Sequence, residues 1–458
     1  MRRRVLGRAA ATPLLLAALA APATAHVGGL GGTGGGGTVP TWLTVATGGV
    51  VVGGSFLFTS LLTDREAIRR VDDWRLSLPV PGTVRALAVR GLRTASVLAL
   101  LAVVVTGLVG PADPTRNVAI LVVWVGWWAG YTATVYAVGP TWPAVNPWRA
   151  LADALPRLGR AEYPERLGAW PAVVGLLALV WLEVVSPVAA DARLLVAVVL
   201  GYTAVTLAGA ARYGPETWFD TVDPISRVFR CYGRVAPFRR TDDGIALGLP
   251  TTGLVDPRVD AEPGGVAFVV ALLWVTTYDG LVATPAWADA TRPLVELGVP
   301  PLLLYLVVAV GGFGAFYLAY GAAADRVRRS ADSYVAADYL RRYFAPALLP
   351  IAAGYHVAHF AGYFLGLAPA LAGALAAPLS PPPPTFLVVP DWFGAVRLGF
   401  VLLGHLFAVW VAHALSFELF PGVLTPVRSQ YPFVVVMVLY TMTSMWVVVQ
   451  PFTPPPYV

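Results

Sequence analysis

The chain of 458 residues is 57% hydrophobic and only 13% charged, with a mean hydropathy of +0.68. Soluble domains carry about 25% charged residues, so the composition excludes an ordinary globular protein and describes a membrane one. The formal net charge of +6 comes from 32 basic residues, all arginine. Positive charge beside membrane spans has a topological cause, and no basic and aromatic groove or nucleic-acid motif accompanies it, so no nucleic-acid partner is expected.

In chain order, the first element reads as an export signal over residues 1–25. Arg2, Arg3, Arg4 and Arg8 precede an apolar TPLLLAALAA and the small residues APATA. Cleavage after Ala25 makes His26 the mature N-terminus, at the head of a flexible glycine-rich linker over 26–40. Ten apolar stretches follow, near 41–62, 94–111, 117–139, 169–188, 193–212, 264–283, 298–321, 345–368, 397–416 and 431–450. Each is long enough to cross about 30 Å of hydrocarbon as a helix. The expected fold is therefore an all-α integral membrane protein, with a ten-helix domain over 41–450 and a short tail over 451–458.

Arginine placement orients it. The loops 63–93, 140–168, 212–263, 324–343 and 417–430 carry 24 of the 32 arginines, against four in the alternate segments, Arg116, Arg193, Arg292 and Arg397. By the positive-inside rule the rich loops are cytoplasmic and both mature termini lie outside a plasma membrane. Trp42, Trp142, Trp148, Trp170 and Trp287 fall near span ends, where amphipathic rings favour the interface.

Two cytoplasmic loops read as short helices on the membrane surface. In WPAVNPWRALADAL, Asn146 suits a cap and Pro147 the first turn. In DPISRVFRCYGRV, Ile225, Val228, Phe229 and Tyr232 share one face, with Arg227, Arg230 and Arg234 on another. That helix holds the single cysteine, Cys231, which excludes a disulfide framework or cysteine-rich metal cluster and reads as a small interfacial side chain. TDDGIALGLPTTGL is compatible with a small hairpin, and Pro381–Pro384 with a stiff extended connector.

Chemistry concentrates in two spans. Of five histidines, His356 and His359 lie in the eighth span, and His405 and His413 in the ninth. Ionisable groups in hydrocarbon are costly and mark functional sites by default. The first two are three residues apart and share a helix face, and the second two lie two turns apart on theirs. At comparable depth, His356, His359 and His405 can meet between neighbouring helices, with His413 as a relay nearer the cytoplasm. Imidazole ligates transition metals and haem, so the leading expectation is transition-metal handling, with copper favoured and haem the alternative cofactor. Interhelical hydrogen bonding is the structural alternative, and a proton relay a further one. The other partner expected within the bilayer is a hydrophobic small molecule.

Glu183 in LVWLEVVSP and Asp279 in VTTYDGLVATP lie in outer halves of their spans, as acceptors for imidazole N–H groups or as direct ligands. An N-terminal His26 offers its amine and ring as a copper(II) chelate. Met437, Met442 and Met445 in the last span could serve copper(I), though methionine is first a core filler. No hydrolase elbow, phosphate loop, dinucleotide fingerprint or His-Glu-x-x-His motif occurs.

Several segments carry a resemblance: VNPWRAL, WLEVVSP, DPISRVFRCYGRVAPF, TTYDGLVATPAW, GYHVAHF, GHLFAVWVAHALS and RSQYPFVVVMVLYT. Over roughly 95–450 the chain resembles prokaryotic multi-span membrane proteins commonly labelled "fenitrothion hydrolase". The resemblance implies organophosphate ester cleavage. It points to Glu183, Asp279, His359, His405 and His413 as the polar intramembrane positions, while His356 departs from the family pattern.

Overall fold

The computed structural model describes residues 40–155, 161–242, 244–255 and 262–458. The expected export signal, almost all of the glycine linker and His26 lie outside them. Among the described residues, nine helices are long and apolar enough to cross a membrane, and the protein is an all-α membrane protein.

Helix α1 is Thr41–Ser60, and the short amphipathic α2, Arg65–Asp73, starts on the side chain of Asp64. Helix α3, Gly82–Val109, begins three turns before the expected 94–111, so its charged first third extends the span into the preceding loop. Helix α4 covers Val118–Val138 and is π-helical over Leu121–Tyr131. Asn117 starts it by accepting from Ala119 N (2.9 Å), and its amide closes the end of α3 by donating to the Pro111 carbonyl (2.8 Å). Helix α5 is Pro147–Ala154, capped by Asn146 as its sequence predicts.

Helix α6, Trp170–Val185, departs from expectation: it has 16 residues and gives way to a 3-10 turn at Pro187–Ala189. Its length of about 24 Å falls short of a full hydrocarbon crossing of about 30 Å. Helix α7, Ala192–Tyr213, starts on Asp191, whose carboxylate accepts from Arg193 N and Leu194 N. Helix α8 is Pro224–Gly233, α9 Gly265–Val282, α10 Pro285–Glu296 and α11 Pro301–Ser330. Helices α12, Ala337–Phe344, α13, Leu349–Ala376, α14, Phe393–Leu419, and α15, Leu424–Val449, complete the set.

The centre of the bundle is α9, 83% buried along its span and packed by α6, α11, α13 and α15. Helices α13 and α14 meet closely: a Cβ on Gly354 would stand 2.4 Å from the Phe400 carbonyl, and one on Gly404 2.4 Å from that of Pro350. Glycine at both positions lets the backbones touch. Helix α15 packs on α1 in the same way, with Met445 against Gly48. Met437 and Met445 are 2% exposed, which makes them core residues.

The arginine-rich loops gather at one end of the bundle and pair there. Arg69 binds Glu418 and Arg93 binds Asp153. Strands β1, Arg75–Pro79, β2, Phe238–Arg240, and β3, Gly244–Gly248, form an antiparallel sheet in the order β1-β3-β2. The β2–β3 hairpin matches the turn-rich TDDGIALGL, and β1 pairs with it in the register Arg75↔Gly248.

Two expectations need correction. Helix α8 does not lie on the surface: Arg227, Val228, Phe229, Cys231 and Tyr232 are all at most 1% exposed. Its arginine is kept because Glu262 stands 2.7 Å from Arg227 Nη1 and the guanidinium lies 5.0 Å from the Phe268 ring centre. Nor are the tryptophans a uniform interfacial belt. Trp42 is 70% exposed, but Trp142, Trp148 and Trp287 are under 9%. Their indole N–H groups have protein partners in two cases, Ser226 for Trp142 and Thr203 for Trp148.

Candidate functional site

An apolar chamber of about 300 Å³ lies between α3, α4, α6 and α7, backed by α9 and α13. Tryptophans 124, 127, 128, 142 and 148 line it together with leucine and valine from the surrounding helices. Its floor at the arginine-rich end is Pro224 and Ile225, at the start of α8. Beneath the floor Asp223 caps α8 and accepts from Ser226 Oγ (2.5 Å) and from Tyr202. Burial pushes the Asp223 carboxyl up from its ordinary value, and the bonds from Ser226 and Tyr202 oppose the shift.

Two carboxyl groups line the opposite region of the chamber, Glu183 and Asp279. The shortness of α6 places Glu183 in that helix's last turn, below the level where a full-length span would end. Asp279 likewise sits in the last turn of α9. Both stand at the negative ends of helix dipoles, where a positive partner is favoured. For Asp279 one such partner is His359, whose Nε2 is 3.1 Å from Oδ2, with side chains 13% and 16% exposed respectively. His359 also stacks on Tyr355 (6.2 Å, 10°) and meets Phe360 edge-on (4.7 Å). The expectation that Asp279 would accept from an intramembrane imidazole therefore has a specific partner, His359.

His356, one turn along α13, lines the chamber and is 1% exposed. Its Nε2 is 3.3 Å from the Trp128 carbonyl. Its ring packs on Trp128 (5.2 Å), Phe360 (4.6 Å) and Tyr232 (5.6 Å).

The remaining two imidazoles are placed elsewhere. His405 turns back on its own helix, Nδ1 donating to the Val401 carbonyl at 2.8 Å. His413 joins three elements: Nε2 donates to the Leu62 carbonyl (2.9 Å) beyond the end of α1, and Nδ1 faces the Gln430 amide of α15 (3.3 Å). The expected meeting of His356, His359 and His405 is not realised. Among the described residues no group of three His, Cys, Asp or Glu side chains is placed to hold a metal ion. His405 and His413 donate their N–H groups to carbonyls of Val401 and Leu62, while His359 pairs with Asp279.

The tryptophan wall escaped the sequence reading, although LVVWVGWWAGY and TWPAVNPW concentrate five indoles within 25 residues, 124–148. Adjacent glycines are part of its construction: a Cβ on Gly130 would stand 2.6 Å from the Phe364 ring.

These features define a polytopic helical membrane protein with an acid and imidazole group at one region of an aromatic-walled apolar chamber. No protein-family model matches the chain, and no curated protein or solved structure matches it.

Proposed function

We propose that the protein is a membrane-embedded enzyme that takes an apolar molecule from the bilayer into the chamber and performs acid–base chemistry on its polar end. The observation that carries this reading is the pairing of Asp279 with His359, beside Glu183, at the wall of an otherwise apolar cavity. Intramembrane ionisable groups are retained for function, and paired titratable groups in a cavity suit proton transfer. By the positive-inside argument, this end of the chamber belongs to the extracytoplasmic half of a plasma membrane.

Ester cleavage, which the sequence resemblance implies, fits these residues. Asp279, held by His359, takes a proton from water as its oxygen attacks phosphorus. The bond from phosphorus to the aryl oxygen breaks, and Glu183 gives its proton to the departing oxygen. The chamber's tryptophans receive the aryl group.

The test is release of the phenol from an aryl phosphorothioate triester by the purified protein in nanodiscs, with lipid-only discs as blank. General acid–base groups contribute about 10²- to 10⁴-fold, so Asp279→Asn should lose at least about a hundredfold and His359→Gln a smaller factor. Wild type no faster than the blank, or equal to Asp279→Asn, overturns the reading.

A further inference from the structure

Among the described residues that line the chamber, His356 is the only imidazole, and one of its nitrogens has a use not yet assigned. A carbonyl oxygen only accepts, so Nε2, 3.3 Å from the Trp128 carbonyl, carries the ring hydrogen. That fixes the tautomer and leaves Nδ1 as a bare acceptor. Nδ1 is buried and has no hydrogen-bond partner among the described residues. A buried acceptor without a donor is unfavourable, and a water, an ion or a bound ligand can supply the missing bond.

The surroundings describe the donor. Trp128 and Phe360 pack on the imidazole and also line the chamber, so a flat ring entering beside His356 meets aromatic faces. Trp124, one turn away on α4, lines the same space, and its Nε1 is likewise buried and partnerless among the described residues. The carrier of Trp128 is the π-helical stretch Leu121–Tyr131, a geometry frequent at functional sites.

We infer that the chamber recognises a lipid-soluble phenol, an aromatic ring bearing a hydroxyl and an apolar tail, through donation of the hydroxyl to His356 Nδ1. Trp124 Nε1 is then the donor for an oxygen elsewhere on the same molecule. His356 acts here as a specificity residue. It takes no part in proton transfer at Asp279, and the inference rests on the chamber being the binding site proposed above.

The experiment is equilibrium binding of para-octylphenol and para-octylanisole to the full protein in nanodiscs, corrected by lipid-only discs. The two probes share ring and tail, but the methyl ether has no donor. The phenol should bind about five- to tenfold more tightly, the value of one hydrogen bond. His356→Phe, which keeps a ring, should bring the two to equality, and dodecanol, a donor without a ring, should bind less tightly than the phenol. Equal affinity of phenol and ether for wild type overturns the inference, even if the variant does not fold. Persistence of the preference in His356→Phe overturns it as well. Asp279→Asn should keep the preference, so lost turnover with retained discrimination sets the two proposals apart. Failure of both aromatic probes to bind removes the chamber reading itself.

Discussion

The sharpest separation between a ligand histidine and a structural one comes at His413. Its imidazole is fully buried, donates to the Leu62 carbonyl and faces the Gln430 amide, so it ties α1, α14 and α15 together. The same corner is stitched by Arg65, whose Nη2 donates to the carbonyls of Phe420 (2.6 Å) and Gly422 (2.7 Å). His413→Ala removes two hydrogen bonds, each worth about 0.6 kcal/mol within a membrane protein. The Leu62 carbonyl then lacks its donor, at about 1–3 kcal/mol. The contact of the imidazole with Phe417 (4.6 Å) is lost as well. The expected cost is about 2–4 kcal/mol in reversible unfolding by detergent titration. Gln430→Leu loses that side chain's bond to the Pro426 carbonyl (2.9 Å) but leaves the bond from His413 to Leu62 in place, so the link between α1 and α14 should survive it. His413→Gln retains a donor and an acceptor and should recover at least half the loss. Binding in the distant chamber should not change. A cost below about 0.5 kcal/mol for His413→Ala would refute the bridging role, because two severed bonds and an orphaned carbonyl cannot sum to so little.

Three further perturbations test the frame. Burial raises Asp72 from 3.8 to about 6 despite the bond from Trp410 Nε1 (3.2 Å) and the charge of Arg239. A raised acid binds its proton more tightly when folded, so stability should fall as pH climbs from 3.8 towards about 6. Asp72→Asn should flatten that slope in pH-dependent unfolding, and an unchanged slope counts against the burial argument. Gly404→Leu forces a side chain into the Pro350 carbonyl, 2.4 Å from the Cβ position, and should cost about 1–3 kcal/mol or prevent assembly of α13 on α14. Thermal unfolding in nanodiscs measures it, and wild-type stability would disprove the close packing. Glu262→Ala removes a carboxylate from a guanidinium whose side chain is 0% exposed, and should cost about 3–5 kcal/mol. The double variant Arg227→Met with Glu262→Gln should be more stable than Glu262→Ala, since no buried charge remains, and the reverse order would contradict this.

The helices were legible because hydrocarbon imposes one rule on every span, a run of apolar residues about 20 long. Local departures were not, since they depend on neighbours. The end of α6 at Val185 is an exception, since Pro187 just beyond it is a stop written in the sequence, whereas the first third of α3 is polar enough to read as loop while forming helix. Along the π-helical stretch of α4, Gly126 and Gly130 sit close against Leu371 and Phe364 of α13, a contact no periodicity announces. Arg227 shows the same limit at the arginine-rich end. Its place on a polar helix face suggested exposure, and a carboxylate 35 residues away allowed burial.

Within the candidate site, cost in hydrocarbon singled out Glu183, Asp279 and the histidines together, and Asp279 and His359 form a close pair. His405 and His413 satisfied the same criterion for a different reason. Each is a polar ring whose N–H closes a backbone carbonyl, one on its own helix and one across to Leu62. The physical rule is that a buried imidazole must be partnered, and the partner may be a carbonyl, an amide, a carboxylate or a ligand. Composition reports the requirement and only tertiary packing reports who meets it. His356 is the instructive case, because it lines the chamber and its Nε2 is answered by Trp128, while its buried Nδ1 has no protein donor among the described residues. His405 Nε2 is also a buried acceptor without a partner among the described residues, but His356 belongs to the chamber lining, so there a bound molecule gains by carrying a hydroxyl.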